Sequence, residues 1–462
     1  MSDSRDVLAV CLALCSGKEE EAQALLARRP ELATGSVHVA AARADIEALT
    51  ALLDRDAQLV DRALPGPRMS PLSILCHASP SSSTQAVAER VAAAELLLVR
   101  RADPNGPGAL IVRTPNDRDA WASALGGAAG SVKSPLLCRA LLAGGADPND
   151  GIALFRAAES DAWDCFDELL KGGAQVNDTQ NRRGTTPLHH VLDTAYTLDR
   201  VEELLARGAD PNVLGSNPSG LGETALHVAV RRRRIEPLAV LVDHGASLDA
   251  PTSDGMGTGM SAWRHALRRG FDDVAAWLAE RGAIVTRTPG DELALLLLAD
   301  DLEAARAMLR ARPELAHGLS LDEARLLPDL AARNKKDAVA LLLDAGWDAC
   351  ARGLDGGLAL HQAAWFAAAE TAELLIARQA PLDVVCNVHD GTPLAWCAHG
   401  SRFSGGAQGN PAYARIAELL CSAGAALAWS GDPDEDPGGR RLVACSSPEV
   451  AEVLRRHGAQ EG

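Results

Sequence analysis

One phrase recurs along this chain and constrains its fold more than any other feature. A small apolar helix is followed by a break, a Leu-Leu helix, and then Gly-Ala-Asp, often with Pro-Asn after it. The endings read Arg101-Ala102-Asp103-Pro104-Asn105, Gly145-Ala146-Asp147-Pro148-Asn149, Gly173-Ala174-Gln175-Val176-Asn177, Gly208-Ala209-Asp210-Pro211-Asn212 and Gly245-Ala246-Ser247-Leu248-Asp249. Further copies end at Gly282-Ala283, Gly346-Trp347-Asp348, Gln379-Ala380, Gly424-Ala425 and Gly458-Ala459. The spacings from Ala146 through Ala174, Ala209 and Ala246 to Ala283 are 28, 35, 37 and 37 residues; Trp347 to Ala380 is 33, and Ala425 to Ala459 is 34. A period near 33 with insertions is the signature of a stack of like units, each unable to bury its apolar face alone.

The openings of the units repeat as well: Thr186-Pro187-Leu188-His189, Thr224-Ala225-Leu226-His227, Ala359-Leu360-His361 and Thr392-Pro393-Leu394, with Ser70-Pro71-Leu72-Ser73 a weaker copy. Thr can cap a helix, Pro suits its first turn, and Gly can take the left-handed conformation that stops the second helix. With T-P-L-H at the start and G-A-D-x-N at the end, the sequence resembles the ankyrin repeat family, and specifically bacterial multi-repeat members of it. The resemblance covers almost the whole chain. It implies an all-α ankyrin repeat solenoid of about twelve helix-turn-helix units, the weakest at 1–35, 36–68 and 291–320. Leu25 to Ala33 and Met308 to Ala316 are near copies of one another, ending on Pro where Gly-Ala is usual.

Composition agrees with closely packed helices. The apolar share is 47% but aromatics are only 3%, so small side chains, Ala above all, must form the core. A net charge of −17 argues against a general nucleic-acid or anionic-membrane binder, whose footprint is basic. No apolar run reaches the roughly 20 residues of a membrane span. Val7 to Cys15 ends Leu-Ala-Leu-Cys, but Asp3 and Asp6 outweigh Arg5, and Leu14 is bulky where a lipoprotein signal wants a small residue. The ten Cys residues include no C-x-x-C pair and read as reduced thiols, giving a cytoplasmic, monomeric protein as the expectation.

The Gly-, Pro- or Ser-rich stretches Ser79 to Thr84, Gly106 to Asp119, Pro251 to Gly259 and Phe403 to Pro411 read as insertions expelled onto one edge. The organisation expected is a single array over 1–462, with a division near 284–292 into 1–284 and 291–462 as the alternative.

In the ankyrin family the two residues after the helix-A Ala-Ala, just before the inter-helix turn, point toward a concave binding groove. Carried over, those positions are Arg231 and Arg232, Arg268 and Arg269, Trp365 and Phe366, and His399 with Gly400, among others. Two clusters result. The basic one, Arg231, Arg232, Arg268 and Arg269, suits an acidic or phosphorylated protein partner bound through forked hydrogen bonds, or else forms a solvated face at helix ends. The aromatic one, Trp365, Phe366, Trp396 and His399, with His361 and Trp347 close in sequence, offers the ring types that dominate interface hot spots. Trp396 alternatively packs between repeats. The repeat-opening histidines 189, 227 and 361 are structural by the same resemblance.

Enzyme and metal motifs fail. Gly127 to Ser134 ends Lys133-Ser134, but Val132 stands where a phosphate loop requires Gly; Gly255-x-Gly257-x-Gly259 follows no strand; H-E-x-x-H and G-x-S-x-G do not occur. The reading is a non-catalytic protein-recognition module (adaptor, scaffold or inhibitor) with no cofactor, no metal and neither nucleic-acid nor membrane partners. The alternatives are a translocated bacterial effector acting on host proteins and a small-molecule or enzymatic site near Trp365, Trp396 and His399.

Overall fold

The computed structural model describes residues 2–64, 68–78, 84–106, 123–181, 184–216, 221–253, 259–317, 319–353, 356–386, 390–404, 409–430 and 437–460. Much of each expected insertion, residues 79–83, 107–122, 254–258 and 405–408, lies outside the described residues. The chain packs into two compact units, Met1–Asp210 and Pro211–Gly462. Both are all-α, and the strands found among the described residues are the pair Gly215–Ser216 and Gly222–Glu223.

In the first unit the helix pairs are Ser2–Cys15 with Glu19–Arg28, Val37–Ala42 with Ile46–Arg55, Pro71–His77 with Thr84–Val99, Ala124–Gly127 (continued by the π-helical turn Ala128–Val132) with Pro135–Ala143, Ala153–Glu159 with Trp163–Lys171, and Pro187–Asp193 with Leu198–Ala206. In the second they are Ala225–Arg231 with Glu236–Asp243, Ala262–Arg268 with Asp272–Glu280, Pro289–Leu298 with Leu302–Ala311, Leu326–Ala332 with Lys336–Asp344, Ala359–Trp365 with Ala369–Ala377, Pro393–Phe403 with Ala412–Ser422, and Arg440–Cys445 with Pro448–Arg456. Residues 284–288 lead directly into Pro289–Leu298, which packs on Ala262–Arg268.

Local chemistry sets these boundaries. Ser70, Thr186 and Thr392 each accept a hydrogen bond from the backbone three residues on, and Pro71, Pro187 and Pro393 open the helices behind them. Where the second helix ends, Gly208 takes φ +88 with open space around its Cβ position, so glycine is needed there for backbone freedom alone. The Leu-Leu phrase and the alanines fill the core: in the second unit Leu293, Leu297, Leu330, Ala363, Ala372, Leu375, Ala398 and Leu420 belong to one buried cluster. Because the inner helices present alanine to one another, they approach closely and need few aromatics.

The Asn that closes the phrase has a task of its own. Asn105 Nδ2 donates to Gly145 O at 2.8 Å while its Oδ1 accepts from Asp147 N at 2.7 Å. Asn149 does the same with Gly173 O and Gln175 N, and Asn177 with Gly208 O and Asp210 N at 2.9 and 2.8 Å. In the second unit Asn212 joins Gly245 O and Ser247 N. Each side chain thus satisfies one donor and one acceptor of the next turn, a bidentate tie between consecutive units.

A second device is Arg90, 4% exposed, which donates to Leu75 O and, at 3.3 Å, to Ala42 O. These carbonyls lie in the last turns of Pro71–His77 and Val37–Ala42, where the negative end of a helix dipole favours a cation.

Candidate functional site

Of the aromatic residues singled out from the sequence, Trp365, Trp396 and His399 are brought together, but not all at the surface. Trp365 ends the helix Ala359–Trp365, and His399 lies on the next inner helix, Pro393–Phe403; their ring centroids are 5.7 Å apart and tilted by 31°. Phe403 continues the stack, 4.4 Å from His399. Phe366 is 54% exposed and so is Phe403, whereas Trp365 and His399 are half-buried. The strip is rigidly held. Gly400 leaves no room for a Cβ, which would lie 3.0 Å from Trp365 O, and Tyr413 donates its hydroxyl to the same carbonyl at 2.7 Å. Phe403 was not foreseen, although it follows His399 by four residues and therefore shares its helix face.

Trp396 departs from the exposed patch. It is 5% exposed, standing in a slot walled by Gly357, where a Cβ would collide with the indole at 2.9 Å, and Gly391, where one would crowd it at 3.1 Å. Its Nε1 donates to Cys386 Sγ at 3.3 Å, and its ring meets His361 and Trp365 edge to face at 5.3 and 5.9 Å. Trp396 is thus the floor beneath Trp365. Trp347, 6% exposed, belongs to the core.

The repeat-opening histidines behave as hydrogen-bonded spacers. His361 Nδ1 accepts from Leu358 N at 3.1 Å, which leaves Nε2–H to donate to Gly391 O at 3.1 Å. His227 bonds to Thr224 Oγ1 at 2.7 Å and to Met260 O at 2.9 Å. Burial pushes both rings down to about 4, so they are neutral at pH 7.

The arginine cluster requires a larger correction. Arg231 and Arg268 are 7% and 8% exposed, and Arg269 is only slightly more open, because the chain supplies their carboxylates itself. Arg231 Nε donates to Glu223 at 2.9 Å; Arg268 Nε lies 3.1 Å from Asp291; Arg269 Nη2 lies 3.1 Å from Asp329. Arg232 is exposed. An acidic partner does not find a solvated four-arginine clamp.

The buried network includes residues that sequence reasoning did not single out. Arg264 donates from Nε and Nη2 to the two oxygens of Asp291 at 2.8 and 3.1 Å. Asp291 also accepts from Thr288 N at 2.8 Å, closing the capping box of Pro289–Leu298. Asp322 accepts from His265 Nε2 at 2.9 Å, Thr252 Oγ1 at 2.6 Å and Arg325 Nη1 at 3.3 Å, and Arg325 also reaches Glu223 at 3.4 Å. Burial raises the Glu223 carboxyl, but Arg231, Arg325 and the two histidines outweigh it and hold the group down to about 2. Asp322 is likewise held far below the usual carboxylate range: His265 and Arg325 overcome its burial.

In the Lys133-Ser134 segment, Lys133 Nζ donates to Ser160 O at 2.6 Å and Ser134 caps the helix Pro135–Ala143. The triple-glycine stretch lies largely outside the described residues. Among the described residues, no group of three or more His, Cys, Asp or Glu is placed to hold a metal ion, and no helix is long and apolar enough to cross a membrane.

Comparison with known proteins meets this geometry at the repeats themselves. The family described as "Ankyrin repeats (3 copies)" matches residues 195–288, and "Ankyrin repeats (many copies)" matches residues 327–376. These segments are ankyrin repeats. It is similar to an ankyrin repeat protein of Rickettsia felis, 33% identical over 18% of this chain and 25% of that one. An ankyrin repeat protein of Fowlpox virus is 34% identical over 22% of this chain and 29% of its own length. The E3 ubiquitin-protein ligase KEG of Arabidopsis thaliana is 26% identical over 49% of this chain but only 14% of the relative. The chain thus spans about a quarter of the length of the first two relatives. The matched ankyrin repeats mark a protein-interaction module.

Proposed function

We propose that this ankyrin repeat protein is a non-catalytic adaptor, scaffold or inhibitor that holds a protein partner against the strip formed by Trp365, Phe366, His399 and Phe403. The observation that carries this reading is the exposure of Phe366 and Phe403 beside the Trp365–His399 stack. A chain with five phenylalanines in 462 residues leaves two of them 54% exposed on neighbouring repeats. Covering a phenyl ring contributes about 1.5–3 kcal/mol, and a preformed strip loses little side-chain entropy on binding. Buried Trp396 is the support and not the contact.

The buried arginines make the acidic-partner idea secondary. Arg402, which stacks over Phe403 at 5.3 Å, is the cation adjacent to the strip. The test is affinity capture from the native lysate, comparing wild type with a Phe366→Ala/Phe403→Ala variant of unchanged helicity. A protein retained only by the wild type is expected; identical retention by both would remove the strip from consideration.

A further inference from the structure

Within the second unit a small cavity of about 20 Å³ is lined by Met260, His265, Arg268, Arg269, Asp322, Arg325, Leu326 and Asp329. Three guanidiniums and two carboxylates line it, and Asp291 and Glu223 stand behind Arg268 and Arg325. Both carboxylates are already engaged. Asp322 accepts from His265 and Thr252 on one oxygen and from Arg325 on the other, and Asp329 is bracketed by Arg269 Nη2 at 3.3 and 3.1 Å. Arg325 is 2% exposed, uses only Nη1 on Asp322 and Glu223, and finds no acceptor for its buried Nη2 among the described residues. Glu323, the remaining carboxylate near Arg268, turns Oε2 back onto Ser320 N and Oγ at 3.2 Å. Outside the wall, Glu223 is shared between Arg231 and Arg325, and Asp291 between Arg264 and Arg268.

A buried cationic donor without an acceptor is costly, and an anion answers the Arg325 Nη2 donor with a charge-assisted hydrogen bond, stronger than a neutral acceptor gives. The volume admits one occupant, since a single water needs roughly 10–15 Å³ on this measure. We infer that this cavity is a binding site for one halide-sized monovalent anion, held by Arg325 Nη2 with Arg268 and Arg269. Its occupant ties the C-terminal end of Ala262–Arg268, where Arg268 and Arg269 stand, to the N-cap of Leu326–Ala332, Arg325, across the intervening repeat. The site is separate from the aromatic strip, and its test does not depend on a protein partner.

The experiment titrates the full chain with sodium chloride and reads excess ³⁵Cl NMR linewidth. In parallel, the thermal unfolding midpoint is followed in sodium bromide against sodium gluconate at matched ionic strength. The expected result is excess broadening that bromide competes away, with a saturable rise in midpoint that gluconate does not give. Arg325→Met should lose both effects. If that variant does not fold, Leu326→Phe keeps every charge while its larger ring takes up the cavity, and it should lose them too. Broadening equal in wild type and in whichever variant folds, or a midpoint indifferent to halide, would overturn the proposal and leave the cavity to water.

Discussion

Replacing Asp291 by Ala should destabilise the second unit more than any exposed substitution in it. Asp291 is fully buried and receives Arg264 through two hydrogen bonds, lies 3.1 Å from Arg268 Nε, and closes the capping box with Thr288. The two arginine side chains are 15% and 8% exposed, so solvent does little to screen them once the carboxylate is gone. Removing one member of such a buried pair costs about 3–5 kcal/mol, and losing the cap about 1 kcal/mol. Because one carboxylate serves both roles, the two do not add fully, and the expected loss is about 4 kcal/mol. Asp291→Asn keeps an oxygen for Thr288 and gives up only the charge, so its loss should be smaller, about 2–3 kcal/mol. The assay is urea unfolding followed by far-UV circular dichroism, with hydrogen exchange of Pro289–Leu298 to place the effect, since repeat arrays can unfold in parts. A loss below about 1 kcal/mol for the alanine variant, or equal losses for both, would refute the assignment of the carboxylate as counter-ion to two buried arginines.

Stability should also fall with acid in two stages. His77, His227 and His361 are pushed by burial down to about 4, so the stability of their neutral forms is present above the unfolded value near 6.5 and is lost as pH drops from there toward 4. Glu223 and Asp322, held low, add a second loss below about pH 4; a urea midpoint unchanged between pH 7 and 4.5 would contradict the first stage. Asn177→Ala removes both hydrogen bonds of one tie and should cost about 1–2 kcal/mol in the first unit, whereas an effect within error would mean that water replaces them. Gln379 holds φ +59 at the position where Gly424 serves in the following repeat, so Gln379→Gly should stabilise by about 0.5–1 kcal/mol, read as a raised melting temperature.

Much of the fold was legible because its signals are short in range. Thr186 and Pro187 start a helix with atoms three residues apart, Gly208 stops one by its own dihedral freedom, and the 33-residue period states that the next unit has the same shape. The candidate site was legible only in part. Trp365 and His399 stack and Phe366 is exposed, yet Trp396 lies beneath Trp365, in the space that Gly357 and Gly391 leave for its indole. The role of the recurring Asn was hidden for a similar reason, since its partners lie one repeat further on.

The arginines mark the limit most clearly. Helix position placed Arg231, Arg268 and Arg269 at the ends of inner helices, where a guanidinium can turn to solvent or inward with equal local comfort. The choice was made by carboxylates outside their own helices: Glu223 eight residues from Arg231 but 102 from Arg325, Asp291 on the next repeat, Asp329 sixty residues beyond Arg269. A sequence by itself determines what repeats, because caps, turns and helix periods are set by neighbours along the chain. Which charges are buried against one another is decided only when those repeats stack, because burial makes an unpaired charge so costly that distant partners select each other.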